Sequence, residues 1–93
     1  MCSKVLNYEE IKNLVGKKVY VYYVDKHWGL RREDLESNYH TVVEDYPGVY
    51  DLADSHYSNI GSVEHCININ KILVFDTKPL LSELLEVCKE RGI

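Results

Sequence analysis

The sequence predicts an α+β domain, with a four- to five-stranded, mainly antiparallel sheet packed by an N-terminal and a C-terminal helix. Three observations carry that expectation. Residues 17–24, Lys-Lys-Val-Tyr-Val-Tyr-Tyr-Val, form a β-branched and aromatic run suited to a pleated strand. Shorter apolar or alternating runs recur at 39–44, 49–52, 63–69 and 72–75. A capped helical pattern stands at each end of the chain.

Taken in order, Asn7-Tyr8-Glu9-Glu10 reads as a helix start. Asn7 caps, Glu10 closes a capping box three residues on, and Leu6 and Ile11 occupy the staple positions. The helix is expected over about 8–15, ended by Gly16 as a left-handed residue. The first strand follows over about 18–25. Val19, Val21 and Tyr23 project to one side of it, Tyr20, Tyr22 and Val24 to the other. If both helices cover the first side, the Tyr20/Tyr22 side is the half-open one.

Residues 25–29, Asp-Lys-His-Trp-Gly, read as a turn. Leu30 to Ser37, rich in Arg and Glu, reads as a short helix or irregular loop, with the return strand of a hairpin as the alternative. Two strands at 39–44 and 49–52 flank Pro47-Gly48, which fit the central positions of a type II turn. Residues 54–61 read as a polar surface loop. Val63, His65, Ile67 and Ile69 alternate with Glu64, Cys66 and Asn68, which predicts a half-buried strand with His65 on its apolar face and Cys66 on its polar one. Ile72-Leu73-Val74-Phe75 is short and wholly apolar, suited to the middle of the sheet. The last helix is expected to begin at Asp76 or Thr77 as cap, with Pro79 in its first turn and Gly92 after its end. Its apolar stripe is Leu81, Leu84, Leu85 and Cys88, widened by Leu80.

Ninety-three residues make one domain, 1–93. A chain of this length buries about 60–65% of its unfolded surface, enough for one core but little room for a deep internal cavity. A 45% hydrophobic fraction points to an ordered globule. No secretory signal is visible, and the longest apolar run, 19–24, is far short of a membrane span. Three cysteines, Cys2, Cys66 and Cys88, fit neither a disulfide framework nor a zinc knuckle, so a reduced cytoplasmic setting is expected.

Charge is segregated. Residues 1–32 carry seven lysines and arginines against three acids, whereas residues 33–70 carry eight acids and no lysine or arginine. Such asymmetry bears on partners and encounter rather than fold.

Catalytic and cofactor signatures are weak. Glycines never fall closer than thirteen residues apart, which excludes phosphate-cradling loops. His27, His40, His56 and His65 show no metal-ligand spacing, and no cofactor or metal is expected. Asp54-Ser55-His56 spells the letters of a triad, but a triad is defined by converging geometry, and a polar turn explains the same residues. Trp28, followed by Arg31 and Arg32, combines the residue types that dominate interface hot spots and that stack on bases. The plainer reading has Trp28 covering a sheet edge and the arginines pairing Glu33, Asp34 or Glu36. Tyr20 and Tyr22 resemble the aromatic platform of RNA-binding sheets, but the acidic balance and the lack of a Gly-aromatic motif argue against direct nucleic-acid binding.

The expectation for function is a small non-enzymatic interaction protein or inhibitor. Its acidic tract, 33–70, and its tyrosines would bind a basic site on a partner protein, with Tyr20, Tyr22, Trp28, Arg31, Arg32, Glu44, Asp45, Asp51 and Asp54 as contact residues. One concrete version is an inhibitor with which a mobile element blocks host defence. The alternative is a protein that binds a nucleotide-like ligand through Trp28, Arg31 and Arg32, at a homodimer interface because the domain is too small for a deep pocket.

Overall fold

The computed structural model of the chain describes residues 3–25, 29–30, 39–56 and 58–93. Eight elements follow in order: α1 (Tyr8–Lys12), β1 (Lys18–Asp25), β2 (Gly29–Leu30), β3 (Tyr39–Tyr46), β4 (Val49–Ala53), α2 (Val63–Asn68), β5 (Ile72–Phe75) and α3 (Leu81–Glu90). The α+β expectation holds. Four strands form an antiparallel sheet in the order β5-β1-β3-β4, and β2 adds a two-residue antiparallel ladder at the end of β1.

β1 organises the sheet because it pairs with three strands. Lys18, Val19 and Tyr20 face Thr41, His40 and Tyr39 of β3, while Tyr20 to Tyr23 face Phe75 to Ile72 of β5. Val24 and Asp25 pair with Leu30 and Gly29, so residues 29–30 begin a hairpin's return strand rather than a helix. The remainder of the expected 30–37 element lies outside the described residues.

Alternation along β1 divides the interior into two clusters. Val19 and Val21 join Leu6, Ile11, Val42, Leu52, Val63, Cys66, Ile67, Ile72 and Val74 on one side. Tyr22 joins Leu73, Phe75, Leu84 and Cys88 on the other, with Tyr20 and Val24 packed against them. β5 feeds both clusters and is buried at all four positions, as its unbroken apolar run predicts. Burying one such side chain is worth about 1.5–3 kcal/mol, so this strand anchors both faces.

The expectation that both terminal helices cover one side is corrected. Ile11 of α1 belongs to the first cluster, and Leu84 and Cys88 of α3 belong to the second. With α3 over it, the Tyr22 side of the sheet is a second core face rather than an open one.

The N-terminal segment extends the sheet. The Leu6 N–H donates to the Val74 carbonyl (2.8 Å) and the Asp76 N–H to the Lys4 carbonyl (3.1 Å). Asp76 was expected to cap the last helix; its carboxylate instead accepts the Lys4 and Thr77 N–H groups, both at 2.8 Å. α3 therefore starts later, at Leu81, with Glu83 accepting the Leu80 N–H at 3.3 Å. Pro79 lies before the helix, where its missing N–H costs nothing. At the other end Gly92, at φ 71°, ends the helix as expected, and the Ile93 N–H returns to the Cys88 carbonyl.

α1 is shorter than its apolar pattern, because residues 13–16 tighten into turns in which Leu14 N–H donates to Ile11 O. Its capping box forms as predicted: the Glu10 N–H donates to Asn7 Oδ1 at 2.8 Å and the Asn7 N–H to Glu10 Oε1 at 3.1 Å. Asn7→Ala should cost about 1 kcal/mol in urea unfolding, the usual value of a lost side-chain cap.

The largest correction concerns residues 63–69, which form a helix rather than a strand. Val63, Cys66 and Ile67, at helical spacing, are buried, while Glu64 and His65 are exposed. His65 is therefore not on the apolar face, and Cys66 is not on the polar one. Ser62 (φ 48°) and Asn70 (φ 55°) sit in the left-handed region at the two ends. The Asn70 and Lys71 N–H groups return to the Ile67 and Cys66 carbonyls, a Schellman closure. Among the described residues no helix is long and apolar enough to cross a membrane.

Candidate functional site

The acidic tract resolves into two kinds of carboxylate. Asp51 is 6% exposed and serves the backbone. Its Oδ1 accepts the Leu52 N–H at 2.7 Å and the Gly61 N–H at 3.0 Å, which closes the 54–61 loop onto the end of β4. Asp54 works similarly within that loop, accepting the His56 and Ser58 N–H groups at 2.8 and 2.9 Å. These backbone donors, Ser58 first and then His56, hold the Asp54 carboxyl below its ordinary value. A depressed pKa means that the stabilisation is complete above the unfolded value of about 3.9 and disappears as pH falls through the folded one. The protection of the Ser58 and His56 amides, relative to their intrinsic exchange, should therefore fall on acidification below about pH 4, and Asp54→Asn should flatten that dependence.

The same geometry accounts for the Asp54-Ser55-His56 letters as turn chemistry. Asp54 contacts the backbone N–H of His56, and this is an Asx turn.

Glu44 and Asp45 are different: both are exposed near the end of the β3–β4 hairpin. Glu44 pairs with Tyr50 across the ladder, and its carboxylate beside the hydroxyl raises the Tyr50 phenol above its usual value. Beyond Glu44 the register shifts, so that Tyr46 faces Val49 and Asp45 is the extra residue of a bulge. Without that shift, Tyr46 would continue the Val42 side, which faces the first core. With it, Tyr46 joins the side of Val49 and is 67% exposed, with Val49 at 49%. Gly48, at φ 79°, supplies the positive φ that a type II turn needs after Pro47.

The remaining expected contact residues separate in the same way. Tyr22 is 2% exposed and meets Phe75 edge to face, with ring centroids 5.7 Å apart, so it is a core residue and not a contact. Tyr20 is half-buried and stands opposite Tyr39, over whose ring the Lys18 ammonium sits 4.5 Å from the centroid. Trp28, Arg31 and Arg32 lie outside the described residues. Glu44 and Asp45 are thus exposed at the end of the hairpin, Tyr22 and Asp51 are buried, and Asp54 is half-buried with its carboxylate engaged by the loop backbone.

Sequence reasoning missed Tyr46 and Val49, which flank a turn and carry no motif. It also overestimated the core stripe of α3. Leu84 and Cys88 are buried, whereas Leu80, Leu81 and Leu85 remain exposed. Burial raises the Cys88 thiol above its ordinary value. Cys66, on α2, contacts the Gly61 carbonyl at 3.9 Å. Among the described residues no group of three His, Cys, Asp or Glu side chains is placed to hold a metal ion. No protein-family model, curated protein or solved structure matches the chain.

Proposed function

We propose that this chain is a small non-enzymatic interaction protein that binds a basic site on a protein partner through its acidic surface. The observation that supports the reading is the exposed pair Glu44 and Asp45, set in a tract, 33–70, that contains no lysine or arginine. Among the described residues the ion pairs are Lys4–Glu10 and Lys12–Glu9, and neither uses this pair of acids. Two carboxylates held on a hairpin give a local field that favours encounter with a cationic groove. Inhibition is one form such binding takes, including blockade of a host-defence protein on behalf of a mobile element. The free thiols of Cys66 and Cys88, both buried, are compatible with work in a reducing cytoplasm.

The test is affinity capture from native lysate at low and high salt, followed by association kinetics with the recovered protein. The reading expects one partner whose on-rate falls by about tenfold or more as salt rises, because exposed charges are screened. Glu44→Gln with Asp45→Asn should remove most of that salt dependence. Capture indifferent to salt and to the double variant would overturn it.

A further inference from the structure

We propose that the tip of the β3–β4 hairpin is the element that enters the partner, with Tyr46 and Val49 filling an apolar pocket whose rim carries lysine or arginine side chains. This rests on the acidic-surface reading above and adds which residues supply the affinity and what chemistry receives them.

Three features of the tip point the same way. Tyr46 and Val49 are cross-strand partners and are among the exposed large apolar side chains of the molecule, so they present one continuous apolar surface. A tyrosine offers large contact area at low entropic cost and is a residue type enriched at binding hot spots. The bulge at Asp45 turns Tyr46 out of the core side of β3, and bulges recur where a strand must re-aim a side chain.

The backbone is also set in advance. Pro47 fixes its own φ, Gly48 occupies the left-handed region, and the Tyr46–Val49 pair closes the ladder. A tip already in one conformation loses little freedom on docking. Glu44 and Asp45, both exposed, immediately precede Tyr46 in the chain, and this acidic approach to the tip specifies the charge of the pocket rim. Acid at the rim should govern association rate and salt dependence, and the anchor should govern dissociation.

Placing a photo-crosslinking phenylalanine analogue at position 46, and separately at Glu86 on α3, tests the assignment in native lysate. Expected is a discrete adduct from position 46 and none from position 86. Excess wild-type protein should compete the adduct away, whereas Tyr46→Ala should compete at least tenfold less well. Peptide mapping should place the adduct on partner residues flanked by lysine or arginine. In kinetics with that partner, Tyr46→Ala should accelerate dissociation and leave the salt dependence intact. A partner that binds with the expected salt dependence yet is insensitive to Tyr46→Ala, or crosslinks only from position 86, overturns the docking tip and spares the acidic-surface reading. An adduct to a second copy of the chain, or to an acidic surface, also overturns it. Absence of any salt-dependent partner overturns both. Circular dichroism and urea unfolding of Tyr46→Ala, at a site exposed enough to leave folding intact, keep a folding defect from being read as a binding one.

Discussion

Phe75→Ala should destabilise the domain by about 3–5 kcal/mol, the range for emptying a buried aromatic site. Phe75 is wholly inaccessible to solvent and lies at the crossing of several contacts. Its ring meets Tyr22 edge to face and packs in the cluster with Leu73, Leu84 and Cys88, while its backbone faces Tyr20 on one side and Val5 on the other. Truncation would leave a cavity between the sheet and α3 and remove the aromatic pair, itself worth about 0.5–1.5 kcal/mol beyond area. A domain of this size has a total stability of about 5–15 kcal/mol, so the loss is a large share of it. Urea unfolding should show the midpoint falling with little change in slope. Leu81→Ala is the matched control: an exposed residue on the same helix as Leu84 should move stability by no more than about 0.5 kcal/mol. Equal effects from the two substitutions would mean that the second cluster is not a real core.

The contrast between Phe75 and Leu81 marks where the sequence was readable. β5 has four consecutive apolar residues between turn formers, and no other environment suits such a run as well as a strand covered on both faces. The two faces of β1 were likewise legible, since the strand period assigns them without reference to anything distant. The capping box at Asn7, the turn at Pro47-Gly48 and the stop at Gly92 are local chemistry and were recovered as such. Which face each helix covers is a tertiary matter. Only part of the α3 stripe is covered: Leu84 and Cys88 are inside, and Leu81 and Leu85 are not.

Residues 63–69 show a different limit. Val63, His65, Ile67 and Ile69 satisfy a period of two, and Val63, Cys66 and Ile67 satisfy the helical spacing, so six or seven residues cannot separate the two. What decides is at the ends. Gly61 and Ser62 take positive φ before the helix, Asn70 takes it after, and the backbone closes onto Cys66 and Ile67. The same dependence on distant closure hid the division of the acidic tract. Nothing near Asp51 in sequence reveals that Gly61, ten residues on, donates to it.

That division yields the second large expectation: Asp51→Ala should cost about 2–3 kcal/mol, because two backbone N–H groups at a largely buried position lose their acceptor together. The affected donors are those of Leu52 and Gly61, and the second holds the loop that leads into α2. Gly61 amide protection should therefore fall more than that of Val21 in the centre of β1. Asp51→Asn keeps an oxygen at the Oδ1 position, which accepts both N–H groups, and should recover part of the loss. Glu44→Gln with Asp45→Asn should behave oppositely, leaving stability within about 0.5 kcal/mol of wild type while weakening partner association. A single urea series on the three proteins separates the two kinds of acid. If Asp51→Ala unfolds at the wild-type midpoint yet weakens association as the Glu44 and Asp45 changes do, Asp51 belongs to the contact surface after all, and the loop is held by something other than its carboxylate.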